Sequence, residues 1–86
     1  MEIIYLPVFL RQYKKLSEEI KEETREKISL FKENPDHPFL KSHKLKGQLK
    51  GRWSFSVNFS YRIVFRYIKN DQVAFLSIGN HDVYKN

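Results

Sequence analysis

The chain has 86 residues, no cysteine and a net charge of +6. A chain this short makes one domain, here 1–86, that buries only about 60–65% of its unfolded surface, and the lack of cysteine excludes a disulfide framework or a thiolate metal site. No apolar run approaches the roughly 20 residues of a membrane span, and the start, Met1-Glu2-Ile3-Ile4-Tyr5-Leu6, is too short and too acidic for a signal peptide. A soluble, cytoplasmic protein with no membrane partner is expected. The charge is one-sided. Residues 1–34 hold seven Lys/Arg and seven Asp/Glu, whereas residues 35–86 hold nine against three. Such a field fits a polyanionic partner, or a basic surface that is merely solvated.

Glu2 to Leu6 is β-prone and reads as a first strand. Pro7 suits the first turn of a helix, and Phe9, Tyr13 and Leu16 follow at helical spacing, which predicts a helix over Val8 to about Leu16. Ser17 is the N-cap of a second helix, with Glu18 and Glu19 at its positive end and Ile20, Thr24, Ile28 and Phe31 on its inner face. Glu22/Arg25 and Glu23/Lys27 offer surface ion pairs. Asn34-Pro35 ends this helical hairpin. Pro35 to Gly51, carrying Lys41, His43, Lys44, Lys46 and Lys50, reads as a basic connecting loop with one helical turn at most.

From Arg52 the period becomes two. Trp53, Phe55 and Val57 alternate with Ser54, Ser56 and Asn58. Asn58-Phe59-Ser60 reads as a turn, Tyr61 to Ile68 as a strand, Lys69-Asn70-Asp71 as a hairpin turn and Gln72 to Ile78 as the last strand. In the middle strand Tyr61, Ile63, Phe65 and Tyr67 share one face, and Arg62, Val64 and Arg66 the other. The expectation is an α+β domain: an N-terminal strand, an antiparallel helical hairpin, then a three-stranded antiparallel meander with the helices on one face. Thirteen aromatic residues help so small a core by burying much area each.

Arg62 and Arg66 project from the face shared with Ser54 and Ser56. A planar guanidinium matches phosphate with two hydrogen bonds at once, and few carboxylates lie in this half to pair with it instead. Phosphate binding is favoured for Arg62. Arg66, nearer the strand end, fits solvent equally well. After the last strand comes Gly79-Asn80-His81-Asp82-Val83-Tyr84. His81 titrates near neutral pH and suits a general base, a general acid or a donor to phosphate, with Tyr84 three residues on. His43 is a second candidate, in the basic loop. His37, between Asp36 and Pro38, belongs to the turn. Three histidines without regular spacing do not make a metal site, and neither metal nor cofactor is expected. These side chains suit cleavage of RNA by its own 2′-OH, which needs a base, positive charge at the phosphate and an acid for the leaving oxygen. DNA lacks that hydroxyl and would be spared.

His43-Lys44-Leu45-Lys46-Gly47, Leu49-Lys50-Gly51-Arg52-Trp53, Ser60-Tyr61-Arg62-Ile63-Val64-Phe65-Arg66 and Ile78-Gly79-Asn80-His81-Asp82-Val83-Tyr84 together resemble the RelE/ParE superfamily of toxin–antitoxin toxins. The resemblance covers nearly the whole chain, and its loop is similar to the YafQ and YoeB branches. It implies a RelE-like fold and a metal-independent endoribonuclease that cuts mRNA in the ribosomal A site. A cognate antitoxin, expected to carry an acidic segment that folds on binding, would hold it inactive. It also implies roles. Arg62 corresponds to the family's phosphate-contacting strand arginine, His81 to the tail acid/base, Tyr84 to the tail aromatic and His43 to the loop histidine. Lys44, Lys46 and Lys50, with Arg52 and Arg66, would contact RNA.

Four positions depart from the family's patterns. Ser54 and Ser56 stand where RelE has strand lysines, Gln48 where YoeB has a loop glutamate, and Ser60 where YafQ has an acidic residue. A ParE-type toxin that binds DNA gyrase and cuts nothing would share the fold without needing His81. A catalytically degenerate toxin, kept as an antitoxin-binding partner, is the third reading.

Overall fold

The computed structural model describes residues 1–80. β1 spans Glu2–Tyr5 and leads into α1, Pro7–Lys14, whose first turn holds Pro7 as its missing N–H allows. α2 spans Glu18–Glu33. The Ser17 side chain accepts from the Ile20 N–H at 3.3 Å, with Glu18 and Glu19 in the first turn, so the expected cap is formed. Asn34 ends α2 in an extended conformation ahead of Pro35.

The segment after Asn34 is more ordered than a connecting loop. It forms a 3₁₀ turn at Pro38–Leu40, a two-residue strand β2 at His43–Lys44 and a second 3₁₀ turn at Gly47–Leu49. His37 does belong to the first turn, where its Nδ1 accepts from the Phe39 N–H at 3.1 Å. Period-two reading misses β2 because two residues are too few to show alternation, and its partners on β3 lie beyond the second 3₁₀ turn. His43 pairs with Ser54 and Lys44 with Trp53, and the Leu45 N–H donates to the Arg52 carbonyl at 2.8 Å. Gly47 and Gly51, at φ +68° and +87°, turn the chain back between these partners.

β3 spans Trp53–Ser56, β4 Arg62–Lys69 and β5 Gln72–Gly79. They form the expected antiparallel meander, and β1 and β2 extend it to five strands in the order β1-β5-β4-β3-β2. β1 runs parallel to β5, and the two helices carry the chain from that edge of the sheet toward the opposite edge, where β2 lies. Leu76 is an extra residue on β5, because Phe75 pairs with Phe65 while Ser77 pairs with Val64. Beyond this bulge β1 no longer reaches. Gln12 of α1 supplies the missing acceptor, its Oε1 receiving the Ile78 N–H at 2.8 Å.

Cross-strand partners share a face, so the register sorts the sheet. Trp53, Phe65, Phe75 and Tyr5 line one row of the helix side, and Phe55, Ile63 and Ile78 the next. Phe31 of α2 stacks on Phe55 at 4.8 Å and meets Phe65 and Phe75 edge-on at 4.9 and 5.6 Å. Phe9 of α1 meets Phe75 at 5.5 Å. These spacings are favourable for aromatic pairs, and all five phenylalanines are buried. Thr24, on the inner face of α2, is buried with its hydroxyl donating to the Ile20 carbonyl at 2.7 Å.

The two ion pairs expected on α2 give way to other partners. Arg25 donates to the Tyr13 hydroxyl at 2.8 Å and Lys27 to the Val57 carbonyl at 2.8 Å, while Glu23 accepts from Asn58 at 3.0 Å. A solvated ion pair is worth little, so long side chains that reach a half-buried partner take it.

Candidate functional site

The second face of the sheet carries no helix aromatics. Its central row runs His43, Ser54, Val64, Ser77 across four strands, and the next runs Ser56, Arg62, Gly79. Arg66 lies further along β4, opposite Ala74. The expected sharing of this face by Arg62, Arg66, Ser54 and Ser56 therefore holds. The row also brings in His43, which sequence alternation alone could not place. The middle is closed, with Ser54, Ser56, Val64 and Ala74 buried. The charges sit at its rim: His43 and Arg66 are exposed and Arg62 is half-buried.

His43 is held in a defined way. Its Nδ1 lies 3.1 Å from the Lys41 carbonyl. A carbonyl only accepts, so this bond requires the proton on Nδ1 and leaves the lone pair of the neutral ring on Nε2. The carbonyl is aimed by Lys41 itself, whose φ of +52° places a non-glycine residue in the left-handed region, at a cost of about 1–2 kcal/mol.

Arg62 is anchored on the β3–β4 turn. Its Nη1 donates to the Asn58 carbonyl at 2.7 Å and to the Tyr61 carbonyl at 3.1 Å. Its Nε and Nη2 form the edge whose two parallel N–H groups match phosphate. Anchoring one end of a flexible side chain lowers the entropy lost when the other end binds.

The loop lysines divide between regions. Lys44 alternates with His43 onto the helix side, its Nζ 5.5 Å from the centre of the Trp53 ring. Lys44, Lys50 and Arg52 line a concavity of about 470 Å³ with Leu45, Gly51 and Trp53. Lys46 is exposed just before the second 3₁₀ turn. Gln48 is exposed in that turn and Ser60 in the β3–β4 turn. Between Pro35 and Asn80 the carboxylates are Asp36 and Asp71, so the rim keeps a positive field. No group of three or more His, Asp or Glu side chains is placed to hold a metal among the described residues. His81 and Tyr84 lie outside the described residues, as does Asp82.

The structure thus brings His43, Arg62 and Arg66 to one face and sets Lys44 on the other. Phe59, read from the sequence only as part of a turn, is 95% exposed in the turn whose Asn58 carbonyl anchors Arg62. A phenylalanine in a polar Asn-Phe-Ser turn was the signal that pattern reading passed over.

Solved structures share this architecture. YafQ from E. coli strain BL21(DE3) superposes with a TM-score of 0.80 at 18% identity, over 99% of this chain and 98% of that one. A YoeB/ParE toxin from Agrobacterium tumefaciens gives 0.78 at 20% identity, over 94% and 99%. A YoeB–YefM complex from Staphylococcus aureus gives 0.75 at 21% identity, over 94% and 97%. At such identities the likeness is one of fold. No curated protein matches the sequence. The family model for the ParE toxin of type II toxin–antitoxin systems matches residues 3–83. The chain therefore belongs to the RelE/ParE superfamily and is the toxin of a type II toxin–antitoxin system.

Proposed function

We propose that this toxin is a metal-independent endoribonuclease that cleaves mRNA in the ribosomal A site. The observation that carries the reading is the placement of His43, its Nδ1 held by the Lys41 carbonyl, and of a turn-anchored Arg62 on one face of the sheet. His43 Nε2 takes the proton of a ribose 2′-OH. The O2′ attacks the adjacent phosphorus, and the guanidinium of Arg62 binds the non-bridging oxygens as their charge grows. The P–O5′ bond breaks, giving a 2′,3′-cyclic phosphate and a 5′-hydroxyl. The tail supplies the proton to O5′, from His81 or Tyr84. Arg66, Arg52, Lys44, Lys46 and Lys50 hold the flanking backbone. A cognate antitoxin with an acidic segment, folding as it binds, competes for the same positive surface.

Primer extension on a defined mRNA tests this, with purified toxin, with and without ribosomes stalled at a known codon. Cuts made only with ribosomes are expected. They should fall roughly 10²–10⁴-fold in His43→Gln or His81→Ala, the usual worth of a general acid or base, and roughly 10²–10³-fold in Arg62→Ala. The ParE family match favours a second reading, in which the toxin binds DNA gyrase and cuts nothing. Absence of cuts together with inhibited supercoiling by wild type and His43→Gln alike would establish that one.

A further inference from the structure

We propose that Phe59 is a stacking platform for an RNA base, set beside the phosphate site of Arg62; the inference rests on the ribonuclease reading and adds to it a contact with the base. Phe59 is the most exposed large hydrophobic side chain among the described residues, at 95%. A phenyl ring in water at the tip of a turn contributes nothing to the core.

The backbone that presents it is nonetheless held firmly. Asn58 Oδ1 accepts from the Ser60 and Tyr61 N–H groups, both at 2.8 Å, and the Val57 N–H donates to the Tyr61 carbonyl at 2.9 Å. α2 ties the turn from outside, with Lys27 Nζ on the Val57 carbonyl and Glu23 Oε1 on Asn58 Nδ2. Arg62 ties it from inside through the Asn58 carbonyl. That carbonyl belongs to the peptide bond whose nitrogen is Phe59's own, so the anchor of Arg62 and the residue carrying the ring share one peptide unit.

An anchored guanidinium and an exposed ring on adjoining residues suit a nucleotide, in which one sugar joins a phosphate and a base. An acidic peptide would satisfy the guanidinium alone. A nucleotide presents an anion and a flat π face together, and stacking on an aromatic ring is available to every base. A pre-ordered turn also loses little entropy on binding.

The test is cleavage kinetics on ribosomes programmed with a defined codon, comparing wild type with Phe59→Ala, Phe59→Leu and Phe59→Trp. Thermal midpoints and antitoxin affinity are measured on the same proteins. The expected result is kcat/KM lower by about 5- to 150-fold in the alanine variant, the usual range for one stacked base. The leucine variant stays low and tryptophan restores the rate, with the largest losses where a purine occupies the stacked position. Thermal midpoints and antitoxin affinity stay at the wild-type values. Wild-type cleavage with an undiminished alanine variant overturns the stacking role and leaves the ribonuclease reading standing. So does an alanine variant that loses antitoxin affinity while cleaving normally, which would assign Phe59 to the protein partner. A wild type that does not cleave overturns both.

Discussion

The two faces of the one sheet are made of the same strands and differ in what holds them. On the helix side, Phe31 lies against Phe55, Phe65 and Phe75, and all four are buried. On the other side the row of His43, Ser54, Val64 and Ser77 has a closed middle and a polar rim, where Arg62 spends hydrogen bonds on a turn rather than on packing. The first face stabilises the fold chiefly through area removed from water, a non-directional effect. The second depends on where single donors and lone pairs point. The sheet lets one chain do both because alternate residues on each strand face opposite ways.

The contrast is sharpest in paired denaturation experiments. Phe31→Ala should cost about 3–5 kcal/mol, a large part of the 5–15 kcal/mol typical of a small domain, and the urea midpoint should collapse. His43→Gln, on the rim, should leave stability within about 0.5 kcal/mol. A large loss of stability in the histidine variant would mean that the two faces are not separable. Asn58→Ala attacks the turn that connects them, removing two acceptor bonds and one to Glu23. It should cost about 1–3 kcal/mol and loosen Arg62, so cleavage should fall by more than the unfolded fraction explains. Equal losses would deny the turn a role in positioning Arg62.

The smallest effect expected is an alkaline one, and it belongs to the helix-side face. Partial burial, with Tyr13 nearby, raises the Tyr5 hydroxyl above its ordinary value of 10.0. Tyr67 is raised by burial and by Asp36. Each keeps its proton to higher pH in the native state than in the unfolded chain. The native state therefore binds more protons once pH passes 10, and stability falls as pH rises further. Below pH 10 the contribution is fully present. Urea midpoints at pH 9 and 11 check the sign, and Tyr5→Phe with Tyr67→Phe should flatten the slope.

Legibility followed the range of the interaction. The Ser17 cap, the first turn at Pro7 and the inner face at Thr24, Ile28 and Phe31 were readable because each depends on residues within a few positions. The strand alternation of Arg62, Val64 and Arg66 was readable for the same reason. The ion pairs of α2 were misread because Lys27 and Glu23 found partners in Val57 and Asn58, about thirty residues away. β2 was invisible because it exists only through its pairing with β3.

The site divides along the same line. Local chemistry in the sequence was enough to single out Arg62 as a candidate for phosphate binding and His43 as a candidate in a basic loop. That they share a face, that the carbonyl of a left-handed Lys41 meets His43 Nδ1, and that Arg62 anchors on the peptide leading into an exposed Phe59 were decided by the tertiary structure. Periodicity and residue type act over one turn or one strand, so they determine elements and their faces. Register between strands, and the carbonyl a given ring finds, depend on how all the elements close on one core.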